Sequence, residues 1–201
     1  MRPYPELIEE LKKIDPVLKD VHAEQAEEFH PTPSIDVYFY LQHSIVSQQL
    51  STKVAEIIWQ RYLDLFPERY PEPEMVLQKS DGELRGIGLS FQKLGYMRNV
   101  ADFSLEYGME FDMLDEWTDD EIIKYLTQIK GVGKWTVQMI LMFPMDRPNV
   151  FPVDDLGIQT KMKKYYNINL EKKELRQKLV EISDRWDPYK TVASKLLWSA
   201  R

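Results

Sequence analysis

Apolar residues fall at helical spacing along most of the chain. Leu7, Ile8, Leu11 and Ile14 recur at three- and four-residue steps. Pro16 after Asp15 predicts that one helix ends there and another starts. HPTPS at 30–34 reads as a loop. The stretch DVYFYLQHSIVS fits strand or buried helix by composition, being rich in aromatic and β-branched residues. Phe39, His43 and Val46 continue a helical stripe there, with Ile35 and Leu41 at its flanks, and predict a helix. Val54, Ile57, Ile58, Tyr62 and Leu65 form the next amphipathic stripe, with Ser51 as its N-cap. Pro67, Pro71 and Pro73 make a rigid connection. A short helix, a Gly-Ile-Gly break at 86–88 and a helix from about Ser90 follow.

Thr118 and Glu121 form a T-x-x-E capping box ahead of Ile122, Ile123, Leu126 and Ile129. Trp135 to Phe143 reads as a buried helix, and Asp155 to Tyr166 as another. From about Glu171 a further helix carries Leu175, Leu179 and Ile182. Asp187-Pro188 breaks it before a final apolar turn, Val192 to Trp198. There is no repeat, low-complexity tract or convincing β-hairpin. The expected fold is all-α, with residues 1–201 as one unit.

Composition narrows the chemistry. No apolar run approaches the roughly 18 residues of a membrane span, and MRPYPELIEELKKIDP lacks the apolar core of a secretory signal. The chain has no cysteine, which removes disulfides, thiolate zinc sites, iron–sulfur clusters and cysteine nucleophiles together. Three histidines, at 22, 30 and 43, give a His-based metal site poor support. The expectation is a soluble cytoplasmic protein with no membrane partner, nucleoid-associated in a bacterium or archaeon. The formal charge of −7 argues against a nucleic-acid partner until its distribution is seen. Residues 1–120 carry 11 Lys/Arg against 24 Asp/Glu, and residues 121–201 carry 15 against 9, so the halves stand at −13 and +6. Such asymmetry can leave a basic face on an acidic protein, or reflect solvated helix faces alone.

One stretch, IKGVGKWTVQMILMFPMDRPNVFPVDD at 129–155, concentrates the candidate chemistry. Helix, then Gly131-Val-Gly133-Lys134, then helix is the pattern of a helix-hairpin-helix. Glycines permit positive φ and close backbone approach. The first N–H groups of the second helix point outward with the helix dipole behind them, a site that suits a phosphate. The same G-x-G pattern also serves as a plain αα turn. At the other end of the stretch, Asp154 and Asp155 open a helix after Pro152. Aspartate is a preferred N-cap. One carboxylate can cap while its neighbour stabilises a developing cation or activates water.

Together these segments resemble the helix-hairpin-helix (HhH-GPD) DNA glycosylase superfamily, and within it the 3-methyladenine DNA glycosylase II branch. The resemblance is carried by Gly131 to Trp135, and by Pro152-Val-Asp-Asp-Leu-Gly-Ile158. Ile45-Val-Ser-Gln-Gln-Leu-Ser-Thr-Lys53 also matches, as do Leu84 to Tyr96 with Gly88-Leu-Ser90 and Lys93. Trp186-Asp-Pro-Tyr-Lys190 through Ala193 and Trp198 completes it. It spans about residues 10–200. It implies a two-lobed helical bundle with the active site in the cleft between lobes. The approximate lobes are 35–115 and 116–201, with N-terminal helices at 5–30 packing on the second. The extra N-terminal β-rich domain of longer members is not expected.

The resemblance also implies residue roles. The family's catalytic carboxylate opens a D-x-x-I pattern, which favours Asp155 and leaves Asp154 to capping or support. Relatives that cleave the strand place a nucleophilic lysine where this chain has Trp135; Lys134 stands one residue early, so no lyase activity is expected. Trp135 is the implied wall of an aromatic slot for the base, and Tyr38, Tyr40 and Trp59 are further candidates for it. Gln49 is the implied wedge that fills the space of a flipped base. Gln48, Ser51, Lys53, Gly131, Gly133, Lys134 and Thr136 are the other expected DNA-contacting residues. No cofactor is required by the chemistry. Family members often hold a monovalent cation, Na or K, on hairpin carbonyls, and the matching positions are Thr127, Ile129 and Val132.

The implied function is monofunctional excision of alkylated purines of the 3-methyladenine and 7-methylguanine type from damaged double-stranded DNA. The protein is expected to be a monomer. Three alternatives stand beside it. One is the same fold directed at hypoxanthine, an etheno adduct or an oxidised purine. Another is a non-catalytic helix-hairpin-helix DNA-binding protein, and the third a helical protein-interaction domain.

Overall fold

The computed structural model describes residues 3–21 and 36–200. The loop expected at 30–34, the flank at Ile35 and the 22–30 part of the N-terminal helical region lie outside the described residues. Twelve α-helices and no strand occur among the described residues, as the periodicity predicts. They are α1 Tyr4–Ile14, α2 Val37–Ser47, α3 Thr52–Leu63, α4 Pro73–Gln78, α5 Asp81–Gly86 and α6 Phe91–Tyr107. The others are α7 Phe111–Asp115, α8 Asp119–Leu126, α9 Lys134–Met142, α10 Leu156–Tyr165, α11 Lys172–Ser183 and α12 Lys190–Ser199. None of these helices is long and apolar enough to cross a membrane. The chain divides into two compact units, Ser34–Ile140 and the two chain ends, Met1–Pro33 with Leu141–Arg201.

In the unit 34–140, α2 packs on α3 and α6, and α4 and α5 also pack on α6. The buried face of α2 is Val37, Tyr38, Leu41, Gln42, Ile45 and Val46; of the predicted stripe only Val46 lies on it, Phe39 and His43 being half-buried. Gln42 explains the difference. Its amide donates to the Met97 carbonyl at 3.1 Å and accepts from the Tyr62 hydroxyl at 3.3 Å, so a polar residue is satisfied inside the core. The face of α3 is turned similarly. Ala55, Ile58, Trp59, Tyr62 and Leu63 are buried, whereas Val54 and Ile57 are exposed. Ser51 holds the N-cap position of α3, yet its side chain makes no capping bond. A box absent from the sequence reading occurs at Ser80 and Glu83, ahead of α5.

In the other unit, α1, α10, α11 and α12 enclose a core built on Leu11, Leu18, Ile158, Leu179, Trp186 and Leu197. Pro16 begins a 3₁₀ segment, Pro16–Asp20, where a second α-helix was expected. Asp15 initiates it by accepting from Val17 N at 3.2 Å. Its carboxylate also accepts from Tyr166 Oη at 2.8 Å and Trp186 Nε1 at 3.0 Å, which satisfies a nearly fully buried charge.

Candidate functional site

The predicted hairpin is present in the unit 34–140. Its first helix, α8, begins on the expected box: Glu121 N donates to Thr118 Oγ1 at 3.3 Å and Thr118 N to Glu121 Oε2 at 2.8 Å. Gly131 has φ +108°, and a Cβ there would stand 2.3 Å from Tyr96 Cγ, so only glycine fits. Gly133 differs from the expectation that both glycines supply positive φ. It lies outside the left-handed region, and a Cβ on it would meet nothing within 4 Å. Its carbonyl accepts from Val137 N at 3.2 Å as α9 starts. Gly133 and Lys134 are exposed, and Trp135 is 42% exposed. Thr136, expected among the DNA contacts, has a buried side chain because its face of α9 turns inward with Val137.

The segment carrying Gln48 and Gln49 leaves the C-terminus of α2 in the same unit. Gln48 Nε2 donates to the Gly131 carbonyl at 3.4 Å, which ties this segment to the hairpin. Gln49 is exposed and has φ +59°. A non-glycine residue in that region costs about 1–3 kcal/mol and persists only where its surroundings hold it. Ser51 and Lys53 are also exposed.

Two of the aromatic slot candidates are core residues. Tyr38 is buried with its hydroxyl donating to the Pro71 carbonyl at 2.6 Å. Trp59 is buried among Phe39, His43 and Tyr62. Both are buried, Tyr38 on α2 and Trp59 on α3, which removes them from an open slot. Tyr40 is half-buried, and desolvation pushes its hydroxyl up to about 12. Of the candidate cation ligands, the Thr127 and Val132 carbonyls accept no hydrogen bond among the described residues. Ile129 O accepts one from Val132 N at 3.0 Å.

The paired aspartates belong to the other unit, and their roles divide differently from the expectation. Asp155, not Asp154, is the N-cap of α10: its Oδ1 accepts from Ile158 N at 2.9 Å. The same oxygen accepts from Trp198 Nε1 at 3.1 Å, and Asp155 is 5% exposed. Asp154 lies at the surface in a bidentate ion pair with Arg176, both contacts 2.9 Å. The D-x-x-I spacing is therefore the capping geometry itself, since the isoleucine supplies the N3 amide that the cap accepts.

Trp198 is the residue that the sequence reading left without a role. Its ring stacks on Phe143, with centroids 5.3 Å apart and an interplanar angle of 29°. Lys195, one turn earlier on α12, places its ammonium 5.3 Å from the Phe143 ring centroid. That ammonium is buried, bonded to Asp146 Oδ1 at 3.0 Å and Tyr4 Oη at 2.5 Å. Burial pulls the lysine below its usual range, against the opposing pull of Asp146. No local period links residues 43 apart, so Trp198 and Asp155 meet only through the packing of α10 on α12. Its place in the C-terminal Trp-x-Pro segment was the one signal available.

An all-helical chain with a glycine hairpin and a carboxylate buried under tryptophan fits one class, the helix-hairpin-helix proteins that handle DNA. The chain belongs to the HhH-GPD superfamily base excision DNA repair proteins, whose family profile matches residues 43–185. It is 32% identical over 181 residues to a Bacillus subtilis (strain 168) relative provisionally named DNA-3-methyladenine glycosylase YfjP. That match covers 86% of this chain and 62% of the relative, so the chain spans less than two thirds of that protein's length. Among solved structures it resembles a DNA-3-methyladenine glycosidase from Bacillus halodurans, with TM-score 0.79 and 31% identity, covering 98% of this chain and 88% of that one. It also resembles the Schizosaccharomyces pombe 3-methyladenine DNA glycosylase Mag1 solved with abasic DNA. There the TM-score is 0.75 and the identity 25%, over 92% of this chain and 95% of that one.

Proposed function

We propose that the protein is a monofunctional DNA glycosylase that releases alkylated purines, of the 3-methyladenine and 7-methylguanine type, from damaged duplex DNA. The observation that carries this reading is Asp155, a carboxylate buried at 5% exposure and oriented by two N–H donors, Ile158 N and Trp198 Nε1. The names of the similar proteins point to the same substrate class. In this reading the target base first leaves the stack, which costs a few kcal/mol and least for a damaged base. Gln49 fills the vacated space. Gly131, Gly133, Lys134 and the first-turn amides of α9 hold a phosphate.

An alkylated purine is cationic in its ring, so it departs as a neutral base without a strong general acid. The C1′–N bond breaks with its electron pair going to the base. Asp155 as carboxylate stabilises the oxocarbenium-like sugar and orients the water that adds to C1′, whose proton passes to solvent. Trp135 offers an aromatic face to the cationic base, an interaction of about 0.5–2 kcal/mol. Because tryptophan occupies the position of the lyase lysine, no Schiff base forms and the strand stays intact. A structural Na or K ion would sit on the carbonyls of Thr127, Ile129 and Val132. The protein would work as a cytoplasmic monomer.

The test is incubation with duplexes carrying 3-methyladenine or 7-methylguanine, scoring released base and strand nicking separately. Free base without nicking is expected. Tight binding with no released base would leave a non-catalytic DNA-binding protein. Release of hypoxanthine or an etheno base alone would move the substrate class.

A further inference from the structure

Lys93 has a bonding pattern that general packing does not explain. It is the third residue of α6, and its backbone amide is fixed by Ser90 Oγ at 3.2 Å. Its ammonium donates to the Val46 carbonyl at 2.7 Å. Val46 is in the last turn of α2, where carbonyls have no helical partner and the negative end of the dipole attracts a cation. No carboxylate pairs with this half-buried lysine among the described residues, and desolvation lowers its proton affinity. The half-buried ammonium is held by the C-terminal end of α2 and not by a side-chain carboxylate, so this contact pins the last turn of α2 to the first turn of α6.

The neighbouring contacts extend this link. Three residues beyond Val46 is Gln49, held at φ +59°. Between them, Gln48 is tied to Gly131 O. The same side of α6 continues to the hairpin: the Tyr96 ring fills the space over Gly131, and Asn99 Nδ2 donates to the Lys130 carbonyl at 2.9 Å. Residues three apart on a helix are neighbours, so Lys93, Tyr96 and Asn99 form one row. One end of the row grips the segment that carries Gln49, and the other grips the phosphate hairpin.

We propose that Lys93 is a positioning residue for base flipping: by holding the last turn of α2 against α6, it sets the register between the Gln49 wedge and the Gly131 hairpin. This rests on the glycosylase reading for its substrate, but the wedge can be tested without chemistry. The probe is a duplex with a tetrahydrofuran abasic site and 2-aminopurine opposite it, whose emission rises when the base is unstacked. Wild-type protein should raise the emission. Lys93→Met should bind the duplex with similar affinity by anisotropy and fail to raise it, and Lys93→Arg should restore the signal. In base release, Lys93→Met should lose about tenfold or more on a paired 7-methylguanine and much less on one left unpaired opposite an abasic site.

A rise in emission with Lys93→Met equal to that of wild type, or equal losses on paired and unpaired substrates, overturns the proposal. A wild type that never perturbs the probe overturns it too. A wild type that perturbs the probe but releases no base removes the glycosylase reading alone, and the wedge positioning stands.

Discussion

Trp198 donates its indole N–H to Asp155 Oδ1 at 3.1 Å, on the oxygen that also accepts the Ile158 amide at 2.9 Å. One carboxylate oxygen thus starts a helix and holds an aromatic ring from a distant segment, while Oδ2 carries neither of these bonds. The capping aspartate is the residue to which the proposed function gives the catalytic charge. Replacing Asp155 with Asn keeps a capping oxygen, because Asn caps about as well as Asp. The variant should fold with little loss of stability and lose the negative charge. We expect Asp155→Asn to abolish base release while binding abasic duplex near normally. Asp154→Asn should lose only the surface pair with Arg176, worth about 0.2–1 kcal/mol. Single-turnover release assays on both variants decide this; an active Asp155→Asn removes the charge from the mechanism.

Gly157 sits against this pair. A Cβ there would be 3.1 Å from Asp155 Oδ1 and 3.2 Å from Trp198 Nε1. Gly157→Ala therefore pushes on both atoms, though alanine gains roughly 0.8–1.0 kcal/mol of helix propensity over glycine. The expected result is a slower release rate with a melting temperature unchanged or slightly raised. A rate equal to wild type would mean that the Asp155–Trp198 geometry does not limit catalysis.

How far these sites were visible in the sequence depends on the range of the contact. Helix starts at Thr118, Ser90 and Asp155 are local: the Thr118 box announced its helix, the other two starts were placed to within a residue, and the cap of α10 fell on Asp155 instead of Asp154. The hairpin and the carboxylate are likewise contiguous motifs. The buried faces of α2 and α3 were misread because each meets partners that periodicity does not identify. Gln42 is inside only because Met97 O and Tyr62 Oη reach it. Tyr38 and Trp59 were slot candidates by residue type alone, and an aromatic side chain serves a core as readily as a slot. Trp198 and Lys93 stood in the matched segments without a partner, since each bonds to an atom tens of residues away.

Gly131 should be the least replaceable residue of the hairpin. Its φ of +108° is strained for any side chain, and a methyl would overlap the base of the Tyr96 ring, which has no flexible end to move. Strain of about 1–3 kcal/mol joins overpacking of about 1–3 kcal/mol. Gly131→Ala should therefore lower the melting temperature by roughly 4–24 °C, at about 2–4 °C per kcal/mol for a chain of this size. Gly133→Ala, with nothing near its Cβ, should melt close to wild type. Thermal unfolding of the two variants side by side checks the contrast. Equal melting temperatures would mean that the turn relaxes freely.

His43 gives the fold a pH dependence. Burial against Trp59, with ring centroids 4.9 Å apart, pulls its proton affinity below the ordinary 6.5, and Glu56 opposes this only in part. Below about pH 6.5 the unfolded chain therefore binds a proton that the folded protein refuses. Stability falls as pH drops through 6.5 and continues to fall until the lowered folded value is passed. Between pH 7 and 9 this residue should contribute no slope. A His43→Gln variant removes the titration, so its melting temperature should decline less than wild type between about pH 6.5 and 5. Parallel melting curves across that window would show that His43 titrates in the folded protein as it does in the unfolded chain.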